Sequence, residues 1–126
     1  MSPALLISIV DDDQSVGQAT ARLLESHGYA TALFASAEEF LHCSQLKNTD
    51  CVISDIRMPG LNGIQLQDRL IQDGYSIPTI FVTAYPEAHV RRAAMNNGAV
   101  CFLAKPAGEE RLISCLERAI RRRSGA

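Results

Sequence analysis

Short runs of aliphatic and β-branched residues alternate along this chain with longer stretches whose apolar residues recur at helical spacing. The runs are Leu5 to Val10, Ala30 to Ala35, Cys51 to Ser54, Thr79 to Thr83 and Val100 to Ala104. Between the first two, Val16, Ala19, Leu23, Leu24 and His27 share one helical face, and Gly28 supplies a stop. Ser36-Ala37-Glu38-Glu39 reads as a capping box that opens a second helix into Phe40 and Leu41. A third helix from about Asn62 to Gln72 buries Ile64, Leu66, Leu70 and Ile71. Pro86 suits the first position of a fourth helix that stops at Asn97-Gly98, and Leu112, Ile113, Leu116, Ala119 and Ile120 mark the fifth. Strands this uniformly apolar, each followed by a helix, predict a parallel sheet covered on both faces. The reading is a single α/β domain over residues 1–126, without repeat or linker.

Where the strands end, the chemistry changes abruptly. The first empties into Asp11-Asp12-Asp13, the third into Asp55, the fourth ends on Thr83, and the fifth runs into Lys105. In open parallel sheets ligands bind beyond the carboxyl ends of the strands, so these side chains are expected to share one site. Carboxylates crowded at the rim of a core repel one another, which raises a pKa or recruits a cation. Mg²⁺ suits such oxygen ligands, whereas Ca²⁺ wants a D-x-[DN]-x-[DN]-G loop that the chain lacks. Asp13 is expected to cap the following helix. Asp55 precedes a Pro-Gly turn and is placed to be a metal ligand or a nucleophile that forms an acyl phosphate.

Composition narrows the options. Hydrophobic content of 47% and charged content of 21% are those of an ordinary globular domain. A net charge of −2 argues against a dedicated nucleic-acid binder. Arg121-Arg122-Arg123 is expected to complement the last helix's dipole, not to grip DNA. Cys43, Cys51, Cys101 and Cys115 form no C-x-x-C pair and read as small buried hydrophobes in a reducing compartment, without disulfides or zinc. The apolar start is too short for a signal peptide or membrane span, so a cytoplasmic location is expected.

Four motifs in order, Val10-Asp11-Asp12-Asp13, Asp55-Ile56-Arg57-Met58-Pro59-Gly60, Val82-Thr83-Ala84-Tyr85 and Lys105-Pro106, resemble the receiver (response-regulator) domains of two-component signalling, especially those of the FixJ type. The resemblance extends over nearly the whole chain, including Gly28-Tyr29, Ser36 to Leu41 and Gly98-Ala99. It implies a flavodoxin-like (βα)5 doubly wound parallel sheet with strand order 2-1-3-4-5. By the same resemblance Asp55 is the phosphoacceptor, charged by a partner histidine kinase or by acetyl phosphate. Asp11, Asp12, Asp55 and the backbone carbonyl of Arg57 are the Mg²⁺ ligands. Thr83 is the switch hydroxyl, Phe102 the switch aromatic, and Lys105 neutralises the phosphoryl oxygen. The Lys105-Pro106 bond is often cis in such domains. Ala107 departs from the phenylalanine common at its place, which implies looser packing there, and Asp13 adds a charge whose role stays open.

A domain of this kind is a phosphoacceptor and not a metabolic enzyme. Its expected output is a change in the surface formed by the fourth helix, fifth strand and fifth helix, where Arg91, Arg92, Glu109, Glu110, Arg111 and Arg118 suit a phosphorylation-dependent homodimer. Neither a membrane nor direct contact with nucleic acid is expected; DNA would be reached only through an attached output domain. An aspartyl-phosphate phosphatase would carry a second acid two residues after the nucleophile, where this chain has Arg57. A flavodoxin-like cofactor binder would place a hydroxyl- and glycine-rich loop after the first strand, where this chain has acids. The remaining alternative is an interaction domain with an idle, never phosphorylated pocket. Arg57 and Tyr85 flank the site, either shielding an acyl phosphate from water or pointing to solvent.

Overall fold

The structure, a computed structural model, describes residues 4–124. Five strands, β1 (Leu6–Val10), β2 (Ala30–Phe34), β3 (Cys51–Ser54), β4 (Thr79–Thr83) and β5 (Cys101–Ala104), form one sheet in the order β2-β1-β3-β4-β5. Every neighbouring pair is parallel. The helices α1 (Gln14–Ser26), α2 (Ala37–Leu41), α3 (Gly63–Gln72), α4 (Ala88–Asn96) and α5 (Glu109–Ser124) cover its two faces. Strand bounds lie within one residue of those read from the sequence.

Alternate strand residues feed opposite layers, as a side-chain period of two requires. Ile7, Ile9, Ile53 and Ile80 pack with Leu24 of α1 and Leu116 of α5, while Val10 and Val52 pack with Phe40, Leu66 and Leu70. A smaller cluster of Ile56, Phe81, Ala94 and Ala99 lies beneath α4 and takes Phe102 against its edge. Polar side chains also enter the interior with partners of their own: Ser8 Oγ and Thr49 Oγ1, both fully buried, share a 2.7 Å hydrogen bond, and buried Gln67 Nε2 donates to the Ala94 carbonyl. The register brings Val10 level with Phe34 and Ser54, Ser54 level with Phe81, and Thr83 level with Ala104. The residues that follow β1, β3, β4 and β5 therefore emerge along one edge.

The ends of three helices refine the sequence reading. Asp13 caps α1, its Oδ1 accepting from the Val16 amide at 3.2 Å. Ser36 caps α2, but Glu39 turns to the Ala35 amide, leaving half of the expected box. The reciprocal box occurs instead at α3, between Asn62 and Gln65. Pro86 does not open α4: the helix starts at Ala88 behind Glu87, because Glu87 N–H bonds the Tyr85 carbonyl and its carboxylate is drawn to Arg57. Pro86 thus belongs to a tight turn.

The cysteine reading needs correcting. Cys101 and Cys115 form a disulfide, while Cys43 and Cys51 are free. Cys101 faces the α5 side of β5 and Cys115 lies on the buried stripe of α5, with Cα atoms 6.2 Å apart. That separation lies within disulfide reach, yet 14 residues of strand, loop and helix hide the pairing from any local motif. The arginine run lies against the body of the domain. Arg122 bonds the Gly98 carbonyl, and Arg123 bonds the Thr49 carbonyl and pairs with Asp50. Among the described residues no helix is long and apolar enough to cross a membrane.

Candidate functional site

The first two acids leave β1 in different environments. Asp11 is nearly buried and Asp12 is exposed. The Asp13 amide donates to Asp11 Oδ1 at 2.8 Å, so the turn that caps α1 also fixes the Asp11 carboxylate. Asp55 follows β3 and is equally buried; its own amide bonds the Val10 carbonyl, and its Oδ1 accepts from the Ile56 amide at 2.6 Å. Gly63 closes the loop behind it by donating to the Ile56 carbonyl at 2.8 Å. Only a glycine fits there, since a Cβ would stand 2.4 Å from the Asp55 carbonyl oxygen and 3.0 Å from the Phe81 ring.

Lys105, one residue past β5, reaches back into this group. Its Nζ donates to Asp11 Oδ2 and to Asp55 Oδ2, each at 2.9 Å. The ammonium side chain is 16% exposed and the two carboxylates 8% and 10%, so water screens these pairs weakly. Burial raises the Asp11 pKa above the ordinary carboxylate value, although the Lys105 hydrogen bond opposes it. For Lys105, burial pulls the pKa down, but hydrogen bonds to Asp55 and Asp11 outweigh it and leave the value raised. The cluster is an anionic pocket with one cation shared between two acids.

Ligand oxygens of Asp11, Asp12 and Asp55 all lie within 4.8 Å of one another. Three carboxylates that close, with burial already pressing Asp11 towards its neutral form, form a donor set for a hard divalent cation. Mg²⁺ fits these residues.

Of the other expected side chains Thr83 ends β4 at the same edge, whereas Phe102 sits within β5, level with Phe81. Thr83 is fully buried, and its Oγ1 accepts from the Tyr85 amide at 3.1 Å. Phe102 is half-buried with its ring 6.5 Å from that of Phe81. The Lys105-Pro106 bond is cis, as the resemblance implied. Ala107 packs against the main core cluster and helps to line a cavity of about 470 Å³ that also takes in Asp11, Asp55 and Lys105. Arg57 and Tyr85 do not simply face solvent. The Arg57 guanidinium lies 4.3 Å above the Tyr85 ring and pairs with Glu87 at 2.6 Å, linking the loops after β3 and β4.

Sequence reasoning missed two acids that bear on the site. Glu87 is the partner of Arg57, and Glu38 of α2 accepts from the Leu61 amide at 3.0 Å. Neither has a motif signal, because each works across elements 30 and 23 residues apart. The Asn62–Gln65 box was legible as N-x-x-Q at the start of an apolar periodic run.

Known proteins are similar to this chain in sequence and fold. The response regulator receiver domain model matches residues 7–117. The transcriptional regulatory protein FixJ of Bradyrhizobium diazoefficiens is 37% identical over 91% of this chain and 56% of its own length. The response regulator protein TodT of Pseudomonas putida is 35% identical over 94% of this chain and 52% of its own. The chain thus spans about half the length of these curated relatives. Among solved structures, a CheY-like receiver domain protein from Methanospirillum hungatei superimposes with a TM-score of 0.88 at 25% identity, covering 98% of both chains.

Proposed function

Because the chain belongs to the response-regulator receiver family of two-component signalling, we propose that Asp55 is its phosphoacceptor and that residues 1–126 act as one phosphorylation switch. The observation that carries this reading is the Lys105 ammonium bridging Asp11 and Asp55 at 2.9 Å each. Receivers bind Mg²⁺ in an acidic pocket; here Asp11, Asp12, Asp55 and the backbone carbonyl of Arg57 would hold it. When bound, the ion supplies positive charge that lets an anionic donor approach a carboxylate.

The chain's own groups divide the remaining work. Asp55 Oδ1 is fixed by a backbone amide, whereas Oδ2 is held by a side chain that can follow the incoming group. Oδ2 is therefore the attacking atom. It forms the O–P bond while the P–N bond of a kinase phosphohistidine breaks, and the electron pair stays on the imidazole nitrogen. Lys105 passes from the carboxylate to a phosphoryl oxygen. The phosphoryl group adds about −1.5 to −2 charges at pH 7. Thr83 then turns its hydroxyl from the Tyr85 amide to the phosphoryl group, and Phe102 rotates into the space that opens. The surface of α4, β5 and α5 changes shape, biasing a pre-existing two-state equilibrium.

A histidine kinase is the proposed donor, and a second copy meeting the α4-β5-α5 face is the proposed partner. The relatives' extra length supports an output domain that would carry any DNA contact. A cytoplasmic location follows from a kinase-fed role. The idle-pocket alternative leaves the buried Asp–Lys–Asp arrangement and its desolvation cost without a purpose. Incubation with acetyl phosphate and Mg²⁺, read by intact mass, tests the proposal. It requires a phosphoryl adduct that Asp55→Asn and a chelator both abolish. An unlabelled wild type, with a competent kinase also failing, would sink it.

A further inference from the structure

We propose that Glu38 is a positioning residue for the phosphoacceptor loop: it clamps the segment from Arg57 to Leu61 so that the Arg57 carbonyl stays in place to complete the metal site. The inference rests on the reading of Asp55 and its neighbours given above. Glu38 lies in the first turn of α2, a place from which a glutamate ordinarily reaches into water. Here it folds under the loop. Its Oε2 accepts from the Leu61 amide at 3.0 Å, and its Oε1 is buried without a hydrogen-bond partner. A carboxylate gives up hydration at Oε1 only if the other oxygen gains a strong contact, and charge-assisted bonds to backbone amides are about twice as strong as neutral ones. That bond also lowers the carboxyl's pKa, so the group is ionised at neutral pH.

Gly60 carries the second half of the argument. It adopts φ +77°, and a Cβ there would stand 2.3 Å from Glu38 Oε2 and 3.1 Å from Oε1. The carboxylate thus occupies the space that any other residue at position 60 would fill. The loop is pinned at three further points: Met58 in the core, Gly63 N–H on the Ile56 carbonyl, and Arg57 on Glu87. Glu38 holds the stretch between them. Mg²⁺ demands near-ideal octahedral geometry, so a small drift of the Arg57 carbonyl weakens binding. Removing groups that orient metal ligands costs about 10–100-fold in affinity.

The test joins two measurements on the chain: hydrogen exchange at the Leu61 amide, and Mg²⁺ titration by calorimetry. Glu38→Ala should lower Leu61 protection and weaken Mg²⁺ binding by about tenfold, with a slower reaction with acetyl phosphate that recovers as Mg²⁺ is raised. Glu38→Gln, whose amide oxygen can accept the same bond without the charge, should restore both in part, and the two readouts should recover together. Glu38→Asp keeps the charge but withdraws it, and replaces the alanine variant if that one fails to fold. Gly60→Ala should weaken Mg²⁺ binding in the wild type through both the clash with Glu38 and the strain of φ +77°, so beside Glu38→Ala only the strain part of that loss should remain. Unchanged Leu61 protection, or unchanged Mg²⁺ affinity while the wild type binds the ion, overturns the clamp alone. A wild type that protects Leu61 yet binds no Mg²⁺ overturns the acid-site reading, and this inference with it.

Discussion

Replacing Lys105 with methionine removes the ammonium group and keeps most of the side-chain volume. Each 2.9 Å contact with Asp11 or Asp55 amounts to about 6 kcal/mol of gross attraction at an effective dielectric constant near 20. The carboxylates, no more than 4.8 Å apart, repel by at least about 3.5 kcal/mol per pair on the same scale. Desolvating the ammonium offsets much of its attraction, so the net loss falls in the range of about 3–5 kcal/mol seen when one partner of a buried pair is removed. For a domain of this size that is a large fraction of total stability. Urea denaturation at pH 7 without metal should therefore show Lys105→Met about 3 kcal/mol less stable than wild type. Saturating Mg²⁺ should stabilise the variant more than the wild type, because the ion replaces the missing positive charge. The reasoning also fixes the pH window. Lys105 is raised in the folded state, so its contribution is full below the unfolded value of 10.5 and is lost as pH climbs through the folded one. A variant as stable as wild type without metal, or one that gains no more from Mg²⁺, refutes the charge-balance account.

Gly63→Ala forces a Cβ onto the Asp55 carbonyl, and should cost about 2 kcal/mol in denaturation while slowing phosphorylation; a neutral outcome would show that this loop yields easily. Asp13→Ala removes the α1 cap but keeps the backbone amide that holds Asp11 Oδ1, and should cost about 1 kcal/mol without changing Mg²⁺ affinity; a roughly tenfold affinity loss would show that the Asp13 side chain helps to orient the metal site. Alkylation followed by intact mass should modify Cys43 alone in the native protein, since burial pushes the Cys51 thiol up to about 12. Unfolding without reductant should give two adducts and unfolding with reductant four, whereas four without reductant would deny the Cys101–Cys115 bond.

The parts of the fold that the sequence made visible are those set by local chemistry. Apolar runs such as Cys51 to Ser54 and the periodic leucines of α1 and α3 encode their own burial, and acids that end strands have one shared edge to occupy. Gly28 and Asp13 mark the ends of α1 through backbone conformation and capping alone. What stayed hidden depends on distance along the chain. Nothing near Glu87 says that its carboxylate meets Arg57 and that α4 consequently starts late. The partner of Glu38 lies in a loop whose path is decided by Met58 and Gly63. The Cys101–Cys115 pairing likewise requires β5 to be laid against α5 first.

Borohydride trapping after acetyl phosphate treatment tests the central claim most directly, because it converts an aspartyl phosphate to homoserine at the residue that carried it. The account requires homoserine at position 55 alone, dependent on Mg²⁺ and strongly reduced in Lys105→Met. Conversion at Asp11 or Asp12, or equal conversion at Asp55 with and without the metal, would contradict it.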